Sequence, residues 1–204
     1  GWEEYLHYYG NCTFDDNTTD AAAKFILDVY METLDPKYLV PVLKAFDFIL
    51  EAQYPNGAWP QRFPHTKDFP YNGKADYTEY YTFNDDVMAN NIYLLLYAWE
   101  KLGREEYKTA ALKGMEFYIA SQLPSPQAGW AQQYKHDMKP GWGRSYEPDA
   151  VAVVQTTDNI RELMNFYRIT GDRRFLSGIP AALEWLDKSR VVFESQYEKC
   201  THAY

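Results

Sequence analysis

FDFILEAQYPNGAWPQRF (Phe46 to Phe63) and MEFYIASQLPSPQAGWAQQY (Met115 to Tyr134) are two versions of one pattern: a helix end, a Gln, a Pro-containing turn and then Trp-x-Gln. Gln53 aligns with Gln122, Trp59 with Trp130, and Gln61 with Gln132. A third version, ALEWLDKSR (Ala182 to Arg190), follows at nearly the same period without the Trp-x-Gln tail. The segments between repeat as well. DNTTDAAAKFILDVY (Asp16 to Tyr30), NDDVMANNIYLLLYAW (Asn84 to Trp99) and VQTTDNIRELMNFYR (Val154 to Arg168) each open on a polar cluster and run into an apolar helix. The period is about 70 residues, with two helices in each.

Helical spacing carries the helix assignments. Leu39, Val42, Leu43, Phe46, Ile49 and Leu50 recur at intervals of three and four, as do Met88, Ile92, Leu95, Leu96 and Trp99, and more loosely Leu112, Met115 and Ile119. Asp35 before Pro36 predicts an N-cap with proline in first position, and Gly171 before Asp172 a helix stop followed by a new cap. Helix pairs at a long fixed period, without sheet signals, leave an α-solenoid or a toroid of helical hairpins. The connecting segments, rich in Pro, Gly and aromatics, are too long for solenoid turns, and loops of that length usually serve function. The expectation is a single all-α domain over residues 1–204, an (α/α) toroid whose long loops form a groove.

Composition narrows what the groove holds. A net charge of -9 excludes a general binder of nucleic acid or of anionic membranes, and no apolar run is long enough to span a bilayer. Six Trp, 19 Tyr and 11 Phe lean towards a ligand that stacks, as sugars do. The four histidines, His7, His65, His136 and His202, show no ligand spacing and read as surface or loop residues. No GxSxG, P-loop or GxGxxG is present. Cys12 and Cys200 either pair across the chain or stand as two thiols. Asn11-Cys12-Thr13 and Asn17-Thr18-Thr19 fit the glycosylation pattern, which matters only in a secretory pathway. The chain starts without Met at GWEEYLHYYG, as a processed or partial chain would.

Three constellations have two readings each. Asp16 with Asn17, and Asp85 with Asp86, fall at equivalent helix starts, where they either cap free N–H groups or hold a hard cation between two repeats. Arg144, in KPGWGRSYEP with Lys135 and Lys139 upstream and Trp130, Trp142 and Tyr146 nearby, either receives an anionic sugar or pairs with Glu147 or Asp149. Trp59 and Trp130, with Gln61 and Gln132, either meet a ligand or pin their loops onto the helix ends.

Taken together, NGAWPQRFP, YTFNDDVMANNIYLL, GWAQQY with KPGWGRSYEP, and DNTTD resemble the family 10 polysaccharide lyases, pectate lyases with an (α/α) toroid fold. The resemblance runs from Asp16 to Arg174. It implies calcium-dependent β-elimination of polygalacturonate by a secreted or periplasmic monomer. Asp16 and Asp85 would serve Ca²⁺, Arg144 would be the Brønsted base, and Trp59, Gln61, Trp130, Gln133, Lys139 and Tyr146 would meet substrate. The family's Asp-Asn-Gly-Ala-Thr is here Asp16-Asn17-Thr18-Thr19-Asp20, and its Gln-His-Asp is Gln133-Tyr134-Lys135 unless a gap brings in His136-Asp137. The family also continues well past Tyr204. Two alternatives stand beside it: a uronan-binding protein without turnover, and a glycoside hydrolase using Asp85 and Asp158.

Overall fold

A computed structural model describes residues 12–65 and 77–191. Cys200, His7, His202 and Asn11 lie outside the described residues. Among the described residues six α-helices form three hairpins: α1 (Thr18–Thr33) with α2 (Pro36–Ala52), α3 (Val87–Leu102) with α4 (Glu105–Ala120), and α5 (Val153–Thr170) with α6 (Ile179–Ser189). Within each hairpin the helices pack on one another, α1 also lies against α3, and α4 against α5. Among the described residues no helix is long and apolar enough to cross a membrane.

The ends of the helices follow the sequence signals. Asp35 accepts the Lys37 N–H at 3.0 Å, and Asp172 accepts that of Arg174 at 2.9 Å, starting a one-turn helix (Arg173–Leu176). The first helix of every hairpin stops on a left-handed residue, Leu34, Gly103 or Gly171, whose N–H returns to the carbonyl four residues back. At Leu34 the chain accepts that conformation without glycine, which is why sequence alone does not mark this stop.

The repeat holds at the level of atoms. Gln53 Nε2 donates to the carbonyls of Gly57 and Ala110, each at 2.9 Å, and Gln122 Nε2 to those of Ala128 and Gly178 at 3.1 and 2.9 Å. Each glutamine therefore ties its own turn to the second helix of the next hairpin. Trp59 and Trp130 are fully buried, and their ring N–H groups donate to the carbonyls of Ile49 and Tyr118, both at 2.8 Å. The pinning reading of these two tryptophans is the one the geometry matches.

The chain is not purely helical. Four two-residue strands pair antiparallel: β1 (Cys12–Thr13) with β2 (Arg62–Phe63), and β3 (Tyr81–Thr82) with β4 (Gln133–Tyr134). Segments this short show no period in the sequence, so they escape pattern reading. Each strand pair sews the loop that leaves a hairpin to the residues that enter it. This brings the Trp-x-Gln loop back to the start of the same repeat's first helix, where the polar clusters are.

Candidate metal centre

Two turns, Asp15–Asn17 and Asn84–Asp86, precede α1 and α3 and pack side by side. Asp16, Asn17, Asp85 and Asp86 all have φ between 53° and 57°. Two successive non-glycine residues in the left-handed region are costly, and Asp and Asn are the types that bear it best. The loop backbone holds both turns: the Gln61 carbonyl accepts the Phe14 N–H at 2.9 Å, and the Gln132 carbonyl accepts those of Phe83 and Asn84 at 2.9 and 3.0 Å. The glutamine side chains repeat as well. Gln61 Nε2 donates to Asp15 Oδ2 at 3.0 Å, and Gln132 Nε2 to Asn84 Oδ1 at 3.2 Å. The third repeat has no such turn, and α5 begins directly from an extended Ala152.

This folding brings together one carboxylate oxygen each from Asp15, Asp16 and Asp85, all within 4.8 Å of one another. Asp16 and Asp85 were expected at the site; Asp15 was not. Its signal lay in the repeat alignment, where it falls opposite Asn84 of the Asn-Asp-Asp run. Burial, then the Asp85 and Asp16 carboxylates, push the Asp15 carboxyl up to about 7, against the pull of Arg144. The neighbouring Asp85 and Asp16 carboxylates, with oxygens within 4.8 Å, are like charges that favour a proton on Asp15 while no cation is present. Asp15 Oδ1 is buried without a hydrogen-bond partner among the described residues. Three hard oxygen ligands, a proton held where charge would otherwise repel, and an orphaned buried oxygen fit a Ca²⁺-type cation, with room in its shell for further oxygens.

Arg144 closes the cluster. Its Nη2 donates to Asp85 Oδ2 at 3.1 Å and to Glu147 Oε1 at 2.6 Å, and its Nε to Glu147 Oε1 at 2.8 Å. Glu147 is 1% exposed and also accepts the Arg144 backbone N–H and Asn84 Nδ2, at 2.8 and 2.9 Å. The Glu147 bonds drive the Arg144 pKa further above its ordinary range, so the guanidinium is held as a cation. Sequence reading assigned Glu147 only as a surface partner. Its burial follows from Gly143: a Cβ there would come within 2.3 Å of Gln133 Nε2 and 2.6 Å of Glu147 Oε2.

The other expected site residues separate into two groups. Trp59 and Trp130 have no exposed face, and Gln133, 2% exposed, spends its Nε2 on the Gly141 carbonyl at 3.2 Å. In this structure the three bond and pack inside the loops that frame the cluster. Gln61, also buried, reaches the cluster through Asp15. Lys139 is exposed and pairs with Asp137 at 3.1 Å, and Tyr146 is exposed with its ring 5.2 Å from the Arg144 guanidinium carbon. His65 and His136 sit in an aromatic cluster with Tyr54, not at the metal centre.

Asp15 sets a pH dependence. Its folded pKa is raised, so its contribution to stability is complete below about pH 4 and is lost as pH rises through about 7. Half exposure screens the effect to roughly 1 kcal/mol, or a few degrees of Tm. In chelator, Tm is expected to fall across this window. In Ca²⁺ it should hold or rise, because the ion takes the proton's position. Thermal melts at pH 4 to 8 in both buffers check this, and parallel curves would remove Asp15 from the metal centre.

The family model described as pectic acid lyase matches residues 6–204. The family 10 polysaccharide lyase from Cellvibrio cellulosa superposes with a TM-score of 0.72 at 25% identity, over 90% of this chain and 58% of its own. A point mutant of that lyase, solved in complex with trigalacturonic acid, gives 0.69 at 24% identity, over 87% of this chain and 56% of its own. The chain thus spans a little over half the length of those lyases. Cellobiose 2-epimerase from Spirochaeta thermophila shares the fold alone, with a TM-score of 0.55 at 13% identity over 85% of this chain and 42% of its own. No curated protein matches. With a family model that covers nearly its whole length, the chain belongs to the pectic acid lyase family.

Proposed function

We propose that the chain is a calcium-dependent pectate lyase, or the portion of one that carries the metal centre, acting on polygalacturonate outside the cytoplasm as a monomer. The three hairpins are then part of an (α/α) toroid. The observation that carries the reading is the Asp15, Asp16 and Asp85 cluster with Arg144 bonded to its edge.

Asp15, Asp16 and Asp85 would hold the ion. Bound there, Ca²⁺ would neutralise a uronate carboxylate and stabilise the charge that develops on it when the C5 proton leaves. In β-elimination the C5–H bond breaks, its electron pair becomes the C4=C5 bond, and the C4–O bond breaks with its electrons on the departing oxygen. Arg144, next to Asp85, is the group the family resemblance assigns to take the C5 proton. Glu147 and Asp85 hold it protonated, so turnover on this reading climbs with pH into the strongly alkaline range. Lys139 and Tyr146 are exposed and available to the polymer, while Gln61, Gln133, Trp59 and Trp130 act through the residues they position.

The test follows ultraviolet absorbance of polygalacturonate at alkaline pH, with Ca²⁺ and then with chelator. Growth of the unsaturated-product signal in Ca²⁺ only is the expected result. One observation favours a second reading, a uronan-binding protein without turnover: the Arg144 guanidinium is bonded to two carboxylates at once, which opposes loss of its proton. Calcium-dependent retention of polygalacturonate with no absorbance change would select that reading and overturn catalysis.

A further inference from the structure

In the loop that carries Arg144, Trp142 has no part in the chemistry above, yet it stands in water. Trp59 and Trp130 are fully buried, whereas Trp142 is 42% exposed, two residues before the arginine. Its neighbours on both sides are buried glycines. Gly141 donates its N–H to the Gln133 carbonyl at 2.9 Å and accepts Gln133 Nε2 at 3.2 Å, and Gly143 donates its N–H to the Glu147 carbonyl at 3.0 Å. A Cβ on Gly141 would come within 2.6 Å of the Tyr80 ring, and one on Gly143 within 2.6 Å of Glu147 Oε2. Both glycines are thus packed onto the framework, and the side chain between them is left to point away from it. From Gly141 to Arg144 the residues run buried, exposed, buried, half-buried, the alternation of an extended chain.

That alternation sets Trp142 and Arg144 on one face, with their Cα atoms roughly 7 Å apart. Arg144 in turn bonds Asp85 of the cluster at 3.1 Å, so the indole stands on a surface continuous with the metal centre. A polymer held at the cluster would carry a neighbouring ring within its reach. Tyr146 does not duplicate the position: it is 69% exposed, but its ring already faces the Arg144 guanidinium. A flat indole face suits a flat surface of C–H groups, and a pyranose ring offers one with its carboxylate and hydroxyl groups kept at the edge. The hydrogen-bonded glycines hold the indole in place beforehand, so little order has to be gained on binding.

We propose that Trp142 is the platform of an additional sugar subsite, stacking on a galacturonosyl ring beside the one at the metal centre, and that it makes the site favour longer chains. The subsite rests on the polygalacturonate reading above, with or without turnover of the polymer.

The test is calorimetry in Ca²⁺ near neutral pH, where protonated Arg144 keeps turnover low, with hexagalacturonate and D-galacturonate as probes. Trp142→Ala should weaken hexagalacturonate by about tenfold and leave D-galacturonate, a single ring held at the metal centre, within about twofold. It should melt like the parent chain, as exposed substitutions do. Trp142→Phe keeps a flat ring and should recover most of the affinity. With the polymer at alkaline pH, Trp142→Ala should raise KM by about tenfold with little change in kcat. Equal affinity of Trp142→Ala and the parent chain for hexagalacturonate, or an equal loss for both probes with a lowered Tm, overturns the platform and leaves the lyase reading standing. Absent turnover, with the hexagalacturonate loss still confined to the longer probe, overturns the lyase reading and supports the platform.

Discussion

Arg144→Ala is expected to lower kcat on polygalacturonate by about three orders of magnitude, the scale of a lost general base, with calcium binding retained. The separation of the two effects is the informative part. Arg144 bonds Asp85 through Nη2, so its charge lies next to the metal ligands and opposes a second cation. Removing it takes away that repulsion, and calcium should bind no less tightly than before. Arg144→Lys refines the assignment, because an amine gives up its proton far more readily than a guanidinium. A base at this position leaves Arg144→Lys with residual turnover and a rate profile displaced to lower pH. Glu147→Gln acts in the same direction by removing the charge that raises the Arg144 pKa. A residue needed only to clamp a carboxylate would leave both profiles where they are. Single-turnover absorbance across alkaline pH, with calorimetry of Ca²⁺, reads all of this, and an unaltered kcat in Arg144→Ala removes the arginine from the chemistry.

What the sequence revealed and what it hid divide along physical lines. The repeat was legible because burial forces the same side chains to recur: Gln53 and Gln122, Trp59 and Trp130 occupy matching positions and bond matching backbone atoms. Helix ends at Asp35, Gly171 and Asp172 were legible because their chemistry is local. Asp16 and Asp85 were legible as a pair through the same repeat. Asp15 was hidden, because its membership depends on the left-handed pair Asp16–Asn17 turning the chain, and dihedral angles leave only a faint mark in sequence. Glu147 was hidden for another reason. A carboxylate in a Gly/Pro-rich loop reads as solvated, and only its contact with Asn84, far away in the chain, shows that it is buried. Trp59 and Trp130 show the converse. Aromatic abundance suggested sugar platforms, yet Trp59 and Trp130 are fully buried, where burying their area stabilises most, while Trp142 stays exposed.

Trp130→Ala should therefore act on stability, not on sugar contact, with a loss of about 3–5 kcal/mol. The ring is fully buried and bonds the Tyr118 carbonyl at 2.8 Å, its backbone N–H is bonded to Thr156 Oγ1 at 3.0 Å, and its carbonyl accepts the Ala152 N–H at 2.9 Å. One residue thus holds the end of α4, the start of α5 and the loop that carries Arg144. Against a total stability of about 5–15 kcal/mol, the loss is enough to bring unfolding near ambient temperature. Trp130→Phe keeps most of the apolar area but strands the Tyr118 carbonyl, so it should cost only about 1–2 kcal/mol. Trp59→Ala should repeat the large effect, because Trp59 bonds the Ile49 carbonyl at 2.8 Å and packs where a Cβ on Gly114 would come within 2.7 Å of its ring. Denaturant titrations of the three variants decide it. If Trp130→Ala melts like the parent chain yet loses polygalacturonate binding, the ring is a platform after all. If both alanine variants fall by similar amounts and Trp130→Phe by much less, the repeated tryptophans are the bolts that hold each functional loop to its hairpin.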